Sequence, residues 1–415
     1  MPVAQVSRII AGVQRRLLLH TPGWNLALAT LAFMACFSAW GLIAPLAKSF
    51  QDSLGISSTA TLFLTAVPVV LGSLLRIPVG ILTDRFGGRR AFALLLAFSV
   101  VPAVLFGYAQ GYWQLVGVGF LLGVAGSSFA IGVPFVAAWF PSERQGMALG
   151  VYGMGNIGTA VAALSAPAVV HGLGRPALGW ITGGVLAGVS LAFALGARDA
   201  PRRAQPARYG AMLRAGWRLY RLAIFYFITF GGFVAMALLL PKLLKDWFGY
   251  SLFQAGLRAA GFSIAATLAR PVGGWLADRV GAYPVLTLAF AGVAVDAAVL
   301  AALAPEPRIV PITITCLTLA CFLGAGNGAV FKLVPLEFPH DAGAAAGVVG
   351  AAGGLGGFFP PLLMGVVRDH AGTYTLGFVG LLAATGLSLA LAVWLIRTAA
   401  GVELRGTPRA RRAHG

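Results

Sequence analysis

Twelve apolar runs, each about as long as a membrane-spanning helix, restrict the fold of this chain more than any other feature. A helix needs about 20 residues to cross a bilayer, and 59% of the 415 residues are hydrophobic whereas only 10% are charged. The pattern predicts an all-α membrane protein with twelve transmembrane helices. The runs lie near residues 25–47, 59–82, 91–109, 113–140, 145–171, 177–196, 222–244, 253–277, 284–304, 309–335, 341–367 and 374–396.

The basic residues lie almost wholly at the ends of the predicted spans and in alternate loops, although the net charge is +18. This distribution argues against nucleic-acid binding, and the positive-inside rule puts both termini in the cytoplasm. We therefore expect a multi-pass protein of the cell inner (plasma) membrane, embedded in the lipid bilayer. The cations on the predicted inner side are Arg8, Arg15, Arg16, Arg85, Arg89, Arg90, seven arginines from Arg198 to Arg221, and the tail from Arg397 to Arg412.

The residue types that usually carry catalysis or metal binding are scattered along the chain. Cys36, Cys316 and Cys321 lie in apolar runs without a Cys-x-x-Cys pair, and the histidines lie at span ends and in the tails. The sequence therefore predicts that the protein is not an enzyme and that it has no catalytic residue, no metal site and no cofactor. Because it contains no phosphate-binding loop, we expect an ion or exchange gradient rather than ATP as the energy source. We also expect a monomer.

An internal repeat divides the chain into two halves of six predicted spans each. The segment "RIPVGILTDRFG" (76–87) aligns without gaps to "RPVGGWLADRVG" (270–281). Two parallel six-span halves form one large class of transporters, whose substrate site lies near the midplane between the halves. The predicted domains are a cytosolic N-terminal tail (1–24), an N-terminal half (25–197), a basic cytosolic linker (198–221), a C-terminal half (222–397) and a basic cytosolic tail (398–415).

The repeated segment contains a recognisable motif. "GILTDRFGGRR" (80–90) resembles the Gly-x-x-x-Asp-Arg-x-Gly signature of the major facilitator superfamily, and "GWLADRVG" (274–281) resembles a weaker second copy. The resemblance implies the two-half fold of that superfamily, with a gating loop after the second span and another after the eighth. The gating residues that it implies are Gly80, Asp84, Arg85, Asp278 and Arg279.

Two arginines interrupt the apolar runs at corresponding places in the two halves. Arg76 and Arg270 each lie eight residues before Asp84 and Asp278, which is about 12 Å of helix and puts them near the membrane midplane. An unpaired cation there costs at least about 2.5 kcal/mol, so such a residue normally faces a cavity or a partner. The pair predicts an anion site or, alternatively, structural ion pairs with a deep acid. The available acids are Asp296 and Glu337.

Four glycine-rich segments form a second set of candidates. Small residues let helix backbones approach closely, which accounts for most of these glycines. It does not account for Asn156 and Asn327, whose amides could donate hydrogen bonds to a small anion. "GMGNIG" matches the letters of the dinucleotide-binding fingerprint. It lies in a membrane-length run with no preceding strand, so it does not indicate a dinucleotide site. The segments are "GVAGSSFAIGVPF" (123–135), "GVYGMGNIG" (150–158), "GAGNGAVFKLVP" (324–335) and "GVVGAAGGLGGFF" (347–359).

The segments at 123–141 and 324–339 resemble the two nitrate signatures of the nitrate/nitrite porter family. In that family two intramembrane arginines hold the anion, which implies this role for Arg76 and Arg270. "FYFITFGGF" (225–233) resembles the family segment whose Tyr and Phe line the anion pocket, here Tyr226 and Phe230. Their four-residue spacing predicts two rings on one helix face. The positions that depart from the asparagines of well-known members are Ser128 and Phe135.

The resemblance implies transport of nitrate, and also of nitrite, by alternating access. The first signature resembles the proton-coupled uptake branch more than the exchange branch, so we expect proton-coupled nitrate uptake, with nitrate/nitrite antiport as the alternative. An organic-anion exchanger of the same superfamily would need a larger cavity. A membrane receptor or assembly subunit that moves nothing would not need two gating loops and two midplane cations. The roles of Asp296, Lys332 and Glu337 stay open at this stage.

Overall fold

The structure is a computed structural model that describes residues 21–200 and 216–406. These residues form helices joined by short turns, without a β-strand among them. The predicted tails (1–24 and 398–415) and linker (198–221) lie partly outside the described residues, and their boundaries stay predictions. Within the predicted linker, the chain is helical from Trp217 onward.

The helices form twelve membrane-length spans, which confirms the predicted fold class. Ten stretches are long and apolar enough to cross a membrane. One of them contains two spans, because the backbone leaves helical geometry at Gly174, where φ is 81°. The remaining span is the 29-residue helix Leu252–Val280. In chain order, spans 1 to 12 are Pro22–Leu46, Phe63–Phe86, Gly88–Tyr108, Tyr112–Ala137, the two parts of Ser142–Gly196, Trp217–Phe248, Leu252–Val280, Ala282–Leu303, Ile309–Glu337, Ala342–Ala371 and Thr375–Gly406.

Two predicted loops are wrong in detail. The connection expected between residues 171 and 177 is a glycine kink, because Gly174 alone provides the change of direction. Apart from Gly80, which lies six residues before the end of span 2, the gating residues expected in loops lie in the last helical turns of spans 2 and 8. These helices continue until Gly87 and Gly281, whose φ angles of 86° and 93° end them. A positive φ is strained for any residue with a Cβ atom, so glycine fixes both ends.

The two halves, spans 1–6 and 7–12, contact each other through glycine faces. Span 2 packs on span 11, and span 5 packs on span 8. A methyl group on Gly80 would overlap the carbonyl of Gly343, and one on Gly274 would overlap the carbonyl of Gly146. The backbones can approach this closely only because these residues lack side chains.

Three spans change helix type where the halves meet. Residues 123–127 of span 4 and 154–156 of span 5 form 3₁₀ turns, and residues 227–231 of span 7 form a π turn. Such turns interrupt the regular hydrogen-bond ladder, and π turns inside α-helices frequently occur at functional sites. Irregular backbone at membrane depth is tolerated where it is buried in protein or lines a cavity. All three turns lie beside the predicted anion-binding residues.

Candidate functional site

Arg76 and Arg270 lie next to prolines in their helices. Span 2 breaks at Leu75, and Arg76 begins the helix Arg76–Phe86 two residues before Pro78. Pro271 follows Arg270 inside span 8. Proline has no N–H to donate to the helical ladder. Both arginines are 3% exposed, so each guanidinium must find its partners inside the protein.

Arg76 hydrogen-bonds to backbone carbonyl oxygens of both halves. Its Nε donates to the Gly126 oxygen at 3.2 Å, and its Nη1 donates to the Gly350 oxygen at 2.6 Å. Gly126 belongs to the 3₁₀ turn of span 4, where the helical ladder is interrupted. A methyl group on Gly350 would lie 3.0 Å from the Arg76 Cδ atom. Within the described part of the chain, Nη2 of Arg76 makes no hydrogen bond.

Arg270 makes the corresponding contacts in the opposite direction. Its Nη1 donates to the Gly153 oxygen at 2.9 Å, and its Nη2 donates to the Tyr226 hydroxyl at 3.3 Å. Asn156 also contacts Arg270: with its amide oxygen turned toward the guanidinium, it accepts from Nη1 and, at 3.3 Å, from Nη2. Each arginine is therefore held by a glycine carbonyl of the other half.

Within residues 21–200 and 216–406, no acid neutralises the charge of Arg76 or Arg270. The ion pairs among the described residues involve neither guanidinium. Of the two deep acids considered as partners, Glu337 pairs with Arg221 at 2.7 Å. Asp296 accepts a hydrogen bond from Thr318 at 2.9 Å. Carbonyl dipoles stabilise the guanidiniums but leave two net positive charges between the halves.

Two aromatic rings lie against both guanidiniums. The Cζ atom of Arg76 lies 5.4 Å from the ring centroid of Phe230, and that of Arg270 lies 5.3 Å from it. The corresponding distances to the ring of Phe129, from span 4, are 6.0 and 5.9 Å. These distances fall within the range of cation–π contacts.

Tyr226 and Phe230 lie on one helix face, as their spacing predicts. Their rings stack at 4.9 Å with planes 1° apart. A π turn begins directly after Tyr226 and includes Phe230. Phe129 is parallel to Tyr226 within 7° at a centroid distance of 6.2 Å, across the interface between the halves. The alternative that these rings face lipid is excluded, because all three are buried.

The two asparagines occupy different positions. The oxygen of Asn156 faces Arg270. By contrast, both amide atoms of Asn327 have no hydrogen-bond partner in the described part of the chain, although the residue is only 3% exposed. An unsatisfied buried amide costs about 1–3 kcal/mol, so a natural example needs an explanation. Of the departures from the family signature, Phe135 packs against Phe193 inside the N-terminal half.

Asp84 fastens the two halves together at the end of span 2. Its Oδ1 accepts from the Gly343 amide at 3.1 Å, and its Oδ2 accepts from the Ala344 amide at 2.9 Å. These amides belong to the first turn of span 11, where N–H groups lack helical partners and the helix dipole favours a negative charge. We call Asp84, Gly343 and Ala344 the first latch.

Asp278 makes the equivalent contact from the C-terminal half. It accepts from the Gly146 amide at 2.9 Å and from the Met147 amide at 2.8 Å, in the first turn of the helix Gln145–Gly153. We call these three residues the second latch. Lys332, which is buried, pairs with Asp278 at 2.7 Å and donates to the Ala277 oxygen at 3.1 Å. Glu337, the acid on the same span as Lys332, pairs with Arg221 instead.

The other gating candidates lie beside the latches, and no hydrogen bond from their side chains joins the halves among the residues that the structure describes. Gly80 packs against the backbone of Gly343. Arg85 lies over the ring of Phe86, and Arg279 lies over the ring of Trp275, each on its own helix.

Sequence reasoning missed Phe129, Phe331 and Tyr152. Phe331 packs edge-on against both Phe129 and Tyr226 at 4.5 Å, and Tyr152 stacks on Phe129 at 5.6 Å. Each nitrate-signature segment contains one phenylalanine shortly before its first proline, and this repeated aromatic was the available signal.

The site is sealed in this conformation, because both arginines are buried and both latches are formed. Two cavities in the C-terminal half, of about 470 and 220 Å³, are lined by neither arginine.

Comparison with known proteins identifies similar sequences along most of the chain. The profile of the Major Facilitator Superfamily matches residues 28–361 and, in a second match, 222–412. The "Nitrite extrusion protein" of Bacillus subtilis (strain 168) is 39% identical over 374 residues, covering 89% of this chain and 94% of that protein. The "Probable nitrate/nitrite transporter NarK2" of Mycobacterium tuberculosis (strain CDC 1551 / Oshkosh) is 41% identical over 374 residues, covering 88% and 93%. The "Probable nitrate/nitrite antiporter NarK1" of Thermus thermophilus is 37% identical, covering 83% and 85%.

Solved structures share the fold at low sequence identity. The human organic anion transporter MFSD10 (TETRAN) superposes with a TM-score of 0.75 at 15% identity, covering 89% of this chain and 99% of that one. The transporter FucP in its outward conformation superposes with a TM-score of 0.72 at 17% identity, covering 89% and 98%. At these identities the likeness concerns the fold alone.

Proposed function

Because the chain belongs to the nitrate/nitrite porter family of the major facilitator superfamily, whose members are transporters rather than enzymes, we propose that it carries nitrate across the inner (plasma) membrane. Nitrite is the second expected substrate. The transport is secondary, by alternating access, with both termini in the cytoplasm. The anion binds between Arg76 and Arg270.

One observation carries this proposal: two buried arginines face each other's half without a carboxylate partner among the described residues. Two uncompensated charges repel each other in a low-dielectric interior. An anion between them would be attracted by both guanidiniums, and these two attractions would offset the repulsion. Structural ion pairs, the competing explanation, lose support because Asp296 and Glu337 bind other residues.

The chemistry of the site fits a small, flat oxyanion. Nitrate is planar and singly charged, and a guanidinium is planar, stays protonated and offers parallel N–H donors for two oxygens. Nη2 of Arg76 is available for such a bond. The parallel rings of Phe129 and Tyr226 supply flat walls on either side of the interface. Tetrahedral anions would fit less well between them.

Asn327 provides a second, independent argument for an anion site. Its amide can donate two hydrogen bonds, and neither amide atom has a partner in the described structure. An anion oxygen would satisfy the donors and remove the cost of leaving them unpaired. Asn156 would act mainly by orienting Arg270.

The latches suggest how access alternates. Both join the halves at the end where spans 2 and 8 end, so they would close this side while the opposite side opens. Breaking them would remove four backbone-to-carboxylate hydrogen bonds. An anion bound by both halves would compensate by holding the halves together elsewhere. The site would thus open to one side at a time.

Proton-coupled uptake is the mode that we favour, and antiport is the second candidate. Nitrate entering alone against an inside-negative potential costs about 2.3 kcal/mol per 100 mV, so net uptake needs more than one co-transported cation. One observation favours antiport: no carboxylate or histidine contacts either arginine among the described residues. Exchange of nitrate for nitrite needs no titrating group.

Counterflow in proteoliposomes tests the substrate. Labelled nitrate should accumulate in vesicles loaded with unlabelled nitrate, and external nitrite should compete, whereas chloride and phosphate should not. Absence of counterflow, or equal competition by phosphate, would contradict the proposal. The mode is tested with vesicles that contain neither anion: uptake that follows an inward proton gradient supports symport, and uptake only after nitrite loading supports antiport.

A further inference from the structure

Asp296 is a buried carboxyl group that the anion site and the latches do not use. It lies in span 9, seven residues before the end of that helix at Leu303, or about 10 Å along the helix axis. This is the end of the bundle opposite the latches, because span 9 begins just after Asp278. Asp296 is 7% exposed.

The two oxygens of Asp296 have different surroundings. Oδ1 accepts from the Thr318 hydroxyl of span 10 at 2.9 Å, and Oδ2 has no hydrogen-bond partner within residues 21–200 and 216–406. Among the described residues, Asp296 forms no ion pair. A buried carboxylate without a cation is strongly disfavoured, and such a group takes up a proton instead.

The charged groups on the neighbouring helices do not neutralise Asp296. Spans 8, 10 and 12 pack against span 9. From span 10, the thiols of Cys316 and Cys321 are close enough to interact with it electrostatically. The remaining titratable or charged side chains that the structure describes on these four spans bind or stack elsewhere, or form no hydrogen bond with Asp296: Arg258, Arg270, Asp278, Arg279, Tyr283, Lys332, Glu337 and Arg397.

Thr318 can support either charge state of the carboxyl group. Its hydroxyl has one proton and three acceptors within reach: Oδ1 of Asp296 at 2.9 Å, and the backbone oxygens of Ile314 and Thr315 at 3.1 and 3.0 Å. When Asp296 is ionised, the hydroxyl donates to it. When Asp296 is protonated, its O–H can donate to Thr318, whose own proton turns to a backbone oxygen.

We propose that Asp296 is a proton-binding site of this transporter, which is protonated in the sealed conformation and titrates when span 10 shifts against span 9. The inference rests on the proposed transport function and names the group that couples it to protons. Span 10 also carries Asn327, about 13 Å farther along the helix from Thr318 at 1.5 Å per residue, and Lys332 at the second latch. A metal ion is a poorer ligand, because hard cations take six or more oxygens, and no group of metal-binding side chains occurs among the described residues.

Two measurements on reconstituted protein separate proton coupling from transport itself. Nitrate exchange at equal pH moves no net protons, whereas uptake into anion-free vesicles under an inward proton gradient does. We expect D296N to keep exchange within about twofold of the parent but to lose the stimulation by the gradient. E306Q, which changes an exposed acid in the turn after span 9, should match the parent in both assays. Gradient-driven uptake by D296N equal to that of the parent would overturn the proposal.

Infrared difference spectra between acid and alkaline pH test proton binding without any transport. With the acid sample at about pH 6, where an exposed carboxyl group such as that of Glu306 stays ionised, the carbonyl band of a protonated carboxylic acid should be lost in part in D296N and retained in E306Q. T318V, which removes the donor to the ionised form, should move the midpoint of this band to higher pH. If the band is present but nitrate uptake by the parent does not respond to the proton gradient, proton coupling is refuted, whereas proton binding by Asp296 is supported. If D296N and T318V leave the band unchanged, the site is refuted whatever the transport assays give.

Discussion

Replacing Arg270 by lysine keeps the positive charge of the anion site but removes the planar arrangement of N–H donors. The guanidinium reaches the Gly153 oxygen through Nη1, the Tyr226 hydroxyl through Nη2 and the Asn156 oxygen through both. A lysine has a single nitrogen on a flexible chain and cannot point parallel donors at one planar anion. We therefore expect R270K to insert and fold but to bind nitrate weakly. R76K should behave in the same way.

The expected loss follows from the number of hydrogen bonds to the anion. A guanidinium can donate two to nitrate, and lysine can replace about one of them. A hydrogen bond to a charged group contributes about 1.5–3 kcal/mol, and 1.4 kcal/mol corresponds to a factor of ten in affinity. Nitrate affinity should therefore fall by about ten- to 150-fold in each variant.

Binding of labelled nitrate to purified protein measures this loss directly. R258K provides a matched control on the same helix, because Arg258 is exposed and stacks on Tyr250 at 4.2 Å, far from the site. Its affinity should stay within about twofold of the parent. Near-normal nitrate binding by R270K, with R76K also unaffected, would refute the arginine clamp.

Three further substitutions address other parts of the site. F129A removes a ring that contacts both guanidiniums, so nitrate affinity should fall by about 1 kcal/mol and phosphate should compete better in counterflow; unchanged competition would mean that Phe129 only packs. N327L removes an amide that has no partner, so Tm should hold or rise while the increase of Tm by added nitrate shrinks; a large drop in Tm would reveal an unrecognised structural bond. D84N can keep only one of the two bonds of the first latch, because an asparagine has a single acceptor oxygen, so exchange should slow while nitrate affinity changes less than in R76K; equal losses of affinity would mean that the latch and the anion site do not act separately.

The arrangement of the helices was largely predictable, because apolar run length reports directly on membrane crossing. The twelve spans and the repeat needed no tertiary information. The kink at Gly174 was not predictable in detail, since a glycine in an apolar run can equally lie in a regular helix. The two latch aspartates were identified from their motif, but their amide partners in the other half were not. Their helical setting depends on Gly87 and Gly281, whose positive φ angles are known only from the structure.

The site was predictable as a set of residue types, but its contacts were not. The positions of Arg76 and Arg270 followed from the spacing to the repeated aspartates. That each arginine donates to a glycine carbonyl of the other half depends on how the halves pack, and a sequence cannot supply this packing. Phe129 was missed although a phenylalanine precedes the first proline in both signature segments, because this repeat does not show which phenylalanine rings face the arginines.

Lys332 is a buried cation at the second latch. It could act on the passing anion, or it could only neutralise Asp278. It pairs with Asp278 at 2.7 Å, and both side chains are nearly buried. Removing one partner of such a pair costs about 3–5 kcal/mol, because the other charge stays uncompensated, whereas removing both is often neutral. K332M alone should therefore unfold at a clearly lower temperature than the parent, and K332M/D278N should recover most of that stability.

Transport by the double variant separates the two roles. An asparagine at position 278 can still accept a bond from the Gly146 or Met147 amide, so D278N alone should exchange nitrate slowly through a weakened second latch. If Lys332 only neutralises Asp278, the double variant should exchange as fast as D278N, because nothing remains for the lysine to neutralise. A double variant that is stable but far slower than D278N would show that Lys332 also acts on the anion as it passes. We expect the first result, because the Lys332 ammonium already has Asp278 and the Ala277 oxygen as partners, while Arg76 and Arg270 have no carboxylate partner among the described residues.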